Sequence, residues 1–476
     1  MKRWRRALLL LLLALWAGVA WYHTHKALPA GLAAASPVCA VQPEQVSFIA
    51  DITAADAYGR SAVSQGIFDA MLQVVHAAQR FIVLDFRALG AEAGAARHVS
   101  AELTGALLAQ RRAHPTVQVL FIVDPEVEHY GALPSPQLQL LRAAGITVVA
   151  ADLQRLRDPN FAYSALWRLA LSWWSSPAGA FGLAAQRMNY KADARKVILA
   201  DDGHGGLAAV VGSADPADNR SAWSNVAARL DGGALPALLA SELAVARFSG
   251  WRGSPAAFAT APAGGTAPDC ATTAAAAPAT MQLVTEGAIH AALLEHLAAT
   301  SRDDSIDVAM YQLGDRAVAQ ELLAAARRGV SVRLILDANE ADEEGGTSGL
   351  PNQVVASELV SRSGGALHVR WYRTHGERFH AALVMVYGAN HLWLTLGSAQ
   401  LTRRSLADYN LEANVGIETA RSSALAQQTL QYFDTLWSNR AALGIEYTAD
   451  FAAFANPSQA DYWLYRLLEG AGLAGF

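Results

Sequence analysis

The sequence predicts an α/β protein built from two similar halves behind an N-terminal signal anchor. Three observations predict it. A basic cluster, Lys2, Arg3, Arg5 and Arg6, precedes an unbroken apolar run over residues 7–21. Strand-like and helix-like runs alternate, then repeat in the same order. Between the two series, residues 254–280 are almost wholly Ala, Pro, Gly and Thr, which reads as a linker. A chain of 476 residues also exceeds one ordinary core. The formal net charge is −5, so no global field favours a polyanion, and nucleic acid is not an expected partner.

The N-terminal run is longer than a signal-peptide core and shorter than the roughly 20 residues of a full span. Trp16, Trp21 and Tyr22 suit a membrane interface. Small residues that a signal peptidase would accept occur only downstream, at "GLAAAS" (31–36). An uncleaved anchor over residues 1–26 is therefore preferred to a cleaved signal peptide. In either case the basic end stays cytoplasmic and the bulk of the chain is exported. The only two cysteines, Cys39 and Cys270, would then lie where disulfides persist. Each stands just before one half. A bridge clamping the two entrances is expected, the alternative being two free thiols.

The halves match element by element. "GIFDAMLQVVHAA" has apolar residues at helical spacing (Ile67, Met71, Val74, Val75), and so does "GAIHAALLEHLAA" (Ile289, Leu293, Leu294, Leu297). Strand candidates "RFIVLDF" and "SIDVAMY" follow. Next come a helix, a basic turn and a β-rich run ending in Asp124 or in Asp337. "LQLLRAAGITVVAADL" then parallels "ASELVSRSGGALHVRWY". Last come two short motifs, "ADARKVILAD" with "GSAD", and "HAALVMVY" with "GSAQ". Ala194 and His380 are 186 residues apart, and Gly212 and Gly397 are 185 apart, so the spacing is kept. Alternating strands and helices imply sheets flanked by helices. Two copies of one fold meet readily about a pseudo-twofold axis, which brings corresponding motifs face to face. The first half is placed at residues 45–253 and the second at 281–476.

The pattern H-x-K-x4-D followed by G-S-x-N, used twice, resembles the signature of the phospholipase D superfamily. "MNYKADARKVILADDG", "GSADPADNRSAWSNVA" and "GSAQLTRRSLADYNLEANV" resemble bacterial membrane-anchored, cardiolipin synthase-like members. The resemblance implies a metal-free, cofactor-free phosphodiester chemistry. One histidine attacks phosphorus, and the opposing histidine protonates the leaving alkoxide and later activates the acceptor. Two lysines and two asparagines, with small hydroxyls, hold the phosphoryl oxygens, and acidic residues orient the histidines. Membrane phospholipid is the implied substrate. The implied location is an inner membrane, with the body in the periplasm.

Carried over residue by residue, the catalytic set is His380, Lys196, Asp201, Ser213, Ser398 and Glu412. The departures are Ala194 for histidine, Asp215 for asparagine, Ala382 for lysine, Tyr387 for aspartate and Gln400 for asparagine. One histidine and one lysine remain where the chemistry uses two of each. Asp215 would set a carboxylate beside an anionic phosphate. Glu340, Glu343 and Glu344 add acid where basic residues are expected. His204 and His375 read as solvated loop residues, and Asn189 with Lys191 does not regenerate the motif. The reading is a phospholipase D-type lineage with a depleted site and weak or no activity. A silent lipid-binding or structural protein is the alternative, and a nuclease of the same superfamily ranks lower.

"FAYSALWRLALSWWSS" (161–176) is apolar nearly all round except for Ser164, Arg168 and Ser172 on one helical face. Either Trp167, Trp173 and Trp174 dip into the outer leaflet beside the anchor, or the helix is buried between the halves. The anchor yields a direct prediction. Carbonate washing should leave the protein in the membrane fraction. A soluble form shortened to about Ala35 would show cleavage instead.

Overall fold

The computed structural model describes residues 2–56, 61–91, 95–174, 179–232, 234–259, 270, 277–340, 349–439 and 444–475. Helix α1 (Lys2–His25) leads to β1 (Cys39–Val41). The first half runs β2 (Val46–Asp51), β3 (Thr53–Ala55), β4 (Ser61–Val63), α2 (Gly66–Ala77), β5 (Phe81–Phe86), α3 (Val99–Ala113), β6 (Gln118–Val123), α4 (Pro136–Ala143) and β7 (Thr147–Ala150). It continues through α5 (Phe161–Leu166), α6 (Ser172–Trp174), α7 (Ala180–Arg187), β8 (Lys196–Asp201), β9 (Leu207–Gly212), β10 (Asn225–Asp231) and α8 (Leu235–Phe248). The second half runs β11 (Ala279–Thr285), α9 (Gly287–Ala298), β12 (Ser305–Met310), α10 (Arg316–Arg328), β13 (Ser331–Leu336), α11 (Asn352–Arg362) and β14 (Leu367–Tyr372). It ends with β15 (Ala382–Tyr387), β16 (His391–Gly397), α12 (Arg403–Leu406), β17 (Ala413–Ala420), α13 (Ala424–Ser438), β18 (Thr448–Asp450) and α14 (Gln459–Ala471).

The helices form where periodicity and capping agree. In α2 the buried face contains Ile67, Met71, Val74 and Val75, the four residues whose spacing marks it. In α10 the Asp315 carboxylate accepts from the Val318 N–H at the start, and Gly329 takes a left-handed φ of 89° at the end. Strands β5, β8, β9 and β15 are buried at every position. They lie inside sheets covered on both faces.

Both sheets have one order. The first is β2-β10-β9-β8-β5-β6-β7, and the second is β11-β17-β16-β15-β12-β13-β14 with β1 and β18 added at its edges. In each, the central pairs β5–β6 and β12–β13 are parallel, and the motif strands β8 and β15 run antiparallel to β5 and β12. One face of the first sheet packs on α2, α3 and α4, and one face of the second on α9, α10 and α11. The opposite faces share a single core: Val83, Leu199 and Val211 from one half meet Leu383, Leu394 and Val415 from the other.

The segment after α1 departs from a simple two-domain division. β1 pairs with β11, so residues preceding the first half complete the second half's sheet. Cys39 in β1 and Cys270 form a disulfide, with Cα atoms 4.2 Å apart. Glu343 and Glu344 lie outside the described residues.

Cys39 and Cys270 are separated by 231 residues, so the bridge closes a long loop. Cys270→Ser should lower unfolding free energy by roughly 2–5 kcal/mol in oxidising buffer. The difference should vanish once the parent is reduced. Equal stability of the two oxidised proteins would count against a bridge.

Candidate active site between the halves

Two reciprocal backbone pairings assemble the site. The Ala194 N–H donates to the Leu411 carbonyl (2.9 Å), and the Leu411 N–H to that of Ala192 (3.0 Å). In the other half, the His380 N–H donates to Ser224 O (2.8 Å), and the Ser224 N–H to Arg378 O (3.0 Å). The bridges Asp193–Leu411 and Ser224–Phe379 are related by exchanging the halves. The pairing makes Ala194 the counterpart of His380.

Each bridge is braced by a buried aspartate. Asp124 accepts from the Asp193 N–H (2.6 Å), and Asp337 accepts from the Phe379 N–H (2.8 Å). Burial pushes both carboxyls up to about 6, against the pull of these amide donors. The glycine of each G-S pair is required by close approach. A Cβ on Gly212 would sit 2.5 Å from Ala227 Cβ, and one on Gly397 2.2 Å from Ala413 O.

His380 is buried, its Nδ1 3.0 Å from Ser213 O and 3.3 Å from Asn225 Oδ1. Ser213 O can only accept, so Nδ1 carries the proton and Nε2 keeps its lone pair. Burial, with Lys196, Arg220 and Arg378 nearby, holds the imidazole well below its usual pKa. The ring sits near Trp223 and Tyr311, with centroids 5.1 and 5.2 Å away.

Lys196 is buried and donates to Ala194 O (2.8 Å), with Asp215 at 3.7 Å. Burial lowers its pKa, and Asp215 and Glu412 oppose that. Asp215 is not left uncompensated as the sequence suggests. Arg220 pairs with it at 2.7 Å, and the Ala88 N–H donates to it at 3.1 Å. Gln400 does the equivalent in the second half, accepting from the Gln312 N–H (3.0 Å).

The Ser213 hydroxyl lies 3.0 Å from Asn225 Oδ1, and the Ser398 hydroxyl donates to Glu412. Strand register equates Asn225 with Glu412, since Ala227 faces Gly212 and Asn414 faces Gly397. The histidine of the second half is therefore oriented by an amide of the first, Asn225. The carboxylate of the second half, Glu412, follows Leu411, which pairs with Ala194 and not with a histidine.

Two expectations are corrected. Asp201 is not at the site. It ends β8, and its Oδ1 accepts from the N–H groups of Arg80 and Phe81, each at 2.8 Å. Its strand position lies roughly 16 Å from Lys196 at about 3.3 Å per residue. Tyr387 fills the same place in β15, where its hydroxyl donates to Asp307, the partner of Arg333. The charge around His380 is also richer than the motif positions imply. The Arg220 and Arg378 guanidiniums lie 4.9 and 5.0 Å from the Trp223 ring centroid. No motif marks these arginines. Asn225 was not findable from the repeat offset, because it lies 13 residues after Gly212 whereas Glu412 lies 15 after Gly397, and only the strand register equates them.

Beside Ala194 lies a buried ionic cluster. Arg195, fully buried, pairs with Glu242 (3.0 Å) and Glu286 (2.7 Å). Burial and neighbouring carboxylates push Asp85 well above the usual range, and burial does the same to Asp193. An open cleft of about 450 Å³, lined in part by Arg87, His129, Asn219 and Arg220, adjoins the site through Arg220.

Two α/β halves with motif strands meeting at a shared histidine site define the class. The family model described as "Cardiolipin synthase, PLD-like domain" matches residues 293–437. No curated protein matches the chain. Phosphatidylserine synthase from Haemophilus influenzae Rd KW20 is similar in structure, at 11% identity and a TM-score of 0.58, covering 96% of this chain and 99% of that one. Nuc, a phospholipase D family member from Salmonella typhimurium, matches at 20% identity with a TM-score of 0.28, over 36% of this chain and 97% of its own. Polyphosphate kinase from Porphyromonas gingivalis matches at 13% and 0.44, over 90% and 53%. Residues 293–437 thus match a phospholipase D-like domain, and the fold of the whole chain is similar to that of the phosphatidylserine synthase.

The Asp215–Arg220 pair can be tested by itself. Arg220→Ala should cost about 1–3 kcal/mol of stability, because a buried carboxylate keeps only Lys196 and one amide donor. Adding Asp215→Asn should recover most of that loss in thermal denaturation.

Proposed function

We propose that the protein engages the phosphodiester of a membrane phospholipid between its two halves, and that any covalent chemistry runs through His380 Nε2. One observation carries the reading. His380 is held neutral with Nδ1–H committed to Ser213 O, and its counterpart is Ala194 beside the Ser398–Glu412 pair. In the reaction Nε2 attacks phosphorus, the P–O bond to the leaving group breaks, and a phosphohistidine forms. Lys196 is placed to answer the phosphoryl charge, with Arg220 and Arg378 contributing to the field.

The leaving alkoxide then needs a proton. His380 is spent as nucleophile, and Ala194 has none to give. Nor does Ala194 offer a base for the water or alcohol that must release the phosphoryl group. Absence of a positioned acid or base costs typically ~10²- to 10⁴-fold. We therefore propose very slow turnover of alkyl esters, in a protein anchored through α1 with its body on the periplasmic face. The halves are divided as residues 45–253, 254–280 and 281–476. A silent lipid-binding role is the second reading, favoured by the same alanine.

Full-length protein in detergent should cleave an aryl phosphodiester, whose leaving group needs no acid, faster than a phosphatidyl lipid. His380→Ala should abolish it. Ala194→His with Asp215→Asn should raise alkyl-ester turnover, since Asn frees Lys196 and Arg220 for phosphate. The His380 pKa is lowered, so the ring stays unprotonated as pH falls through 6.5. The aryl rate should therefore hold from pH 7.5 to 6.5 and drop only below that. Robust alkyl-ester turnover that survives His380→Ala would place the chemistry elsewhere.

A further inference from the structure

We infer that the body of the protein sits in the bilayer surface on a two-part apolar face. One part is the α5–α7 segment beside the anchor, and the other is the C-terminal helix α14. The inference rests on reading α1 as membrane-embedded.

The first support is an inverted amphipathic pattern. In the α5–α6 run, Arg168 is only 15% exposed and its guanidinium pairs with buried Asp158 (2.7 Å). Ser164 donates to the same carboxylate (2.7 Å), as does Lys191 (2.8 Å). The outward side carries Leu166, Leu169 and Trp173, the last 82% exposed. A water-facing helix is built the other way round. Helix α14 repeats the inversion. Glu469 is buried and accepts from the Arg403 N–H (3.1 Å), whereas Trp463, Leu464 and Leu467 face outward.

The second support is adjacency. The Asn160 amide, capping α5, donates to Ala471 O at the end of α14 (2.6 Å). Pro159 O lies within 2.1 Å of where a Cβ on Gly472 would sit. The two apolar surfaces are therefore neighbours. Among the described residues outside α1, eight of the fourteen exposed large hydrophobic residues lie in these two segments, and two more, Met188 and Leu473, lie just past their ends. The other four, Val38, Val63, Leu133 and Leu140, belong to separate elements or loops.

The third support is depth. Helix α1 packs along α5, with the Trp16 and Phe161 rings 5.5 Å apart. Trp16 lies five residues inside the outer end of the apolar run, or about 7.5 Å at the helical rise. That depth matches the ~5–10 Å to which interfacial helices bury their apolar faces. If α1 is in lipid, α5 at the level of Trp16 is in lipid too. The occupant of this face is accordingly the bilayer that holds the anchor. Residues 189–193 run from the edge of this face to Ala194, a path of at most about 20 Å. A lipid head group at the membrane surface is thus within reach of the site.

The test uses full-length protein, with Cys39 and Cys270 retained, in phosphatidylethanolamine–phosphatidylglycerol vesicles. Nitroxides are attached at Leu12→Cys in α1, Trp173→Cys, Leu467→Cys and, as a solvent control, Leu140→Cys. All four positions are exposed, so the fold should tolerate them. Accessibility to oxygen relative to a nickel chelate should be severalfold higher at positions 12, 173 and 467 than at 140. Position 12 in lipid with 173 or 467 in water overturns the two-part face and spares the anchor. Position 12 in water overturns both. Labels at 173 and 467 that are shielded from both reagents, with dipolar broadening between copies, assign the face to a second copy and overturn the lipid seat.

Discussion

The structure depends on two short backbone bridges, Asp193–Leu411 and Ser224–Phe379. Each ties the entry of one half's motif strand to the other half. They are reciprocal, so one local geometry is used twice and closes on itself. A buried aspartate on the β6 or β13 loop fixes the backbone of each. The bridges require the halves to be apposed, and apposition buries the shared core of Leu199, Val211, Leu383 and Leu394. The β1–β11 pairing and the Cys39–Cys270 bond close the same unit from outside. The halves are therefore repeats by topology but one body by packing.

A symmetric frame with asymmetric contents explains the chemistry of the site. The backbone offers two equivalent places for a histidine. One holds His380, oriented by Ser213 O and the neutral Asn225. The other holds Ala194, facing a Ser398–Glu412 pair. Lys196 has lost its symmetry mate to Ala382, yet the field is not stripped of cations. Arg220 and Arg378 flank Trp223, and burial, together with these cations and Lys196, holds the His380 imidazole well below its usual pKa. A neutral imidazole under a positive field makes a serviceable nucleophile and a poor acid. This division of roles, more than the count of missing motif residues, sets what the site can do.

The polar interior beneath α5 follows the same logic of pairing. Asp158 collects Arg168, Lys191 and Ser164 beneath α5. Lys191 is three residues before Ala194, so this network and the site share one strand entry. Burial lowers the Lys191 pKa to about 8, with the Asp158 carboxylate working against that shift. The helix turns its polar residues inward and carries Leu166, Leu169 and Trp173 on its outward side.

The sequence by itself determined the order of elements, the duplication, the anchor candidate and the identity of the motif residues. These are local properties. Apolar spacing, turn residues and the constant offset of about 185 between motifs are legible along the chain. It also showed which motif residues are missing, because a substitution is visible wherever the repeat aligns. Tertiary structure alone decided where charges meet. Asp201, inside the motif, folds to the far end of β8 and serves the backbone amides of Gln79, Arg80, Phe81 and Gly203. Arg220 and Arg378, outside any motif, converge on Trp223 from opposite halves. It likewise decided that α5 and α14 turn apolar sides outward, since periodicity marks a face but not what covers it. The physical reason is common to all of these. Electrostatic and packing partners are set by proximity in space, and pairs such as Asp201 with Phe81 and Trp223 with Arg378 are separated by more than one hundred residues of chain.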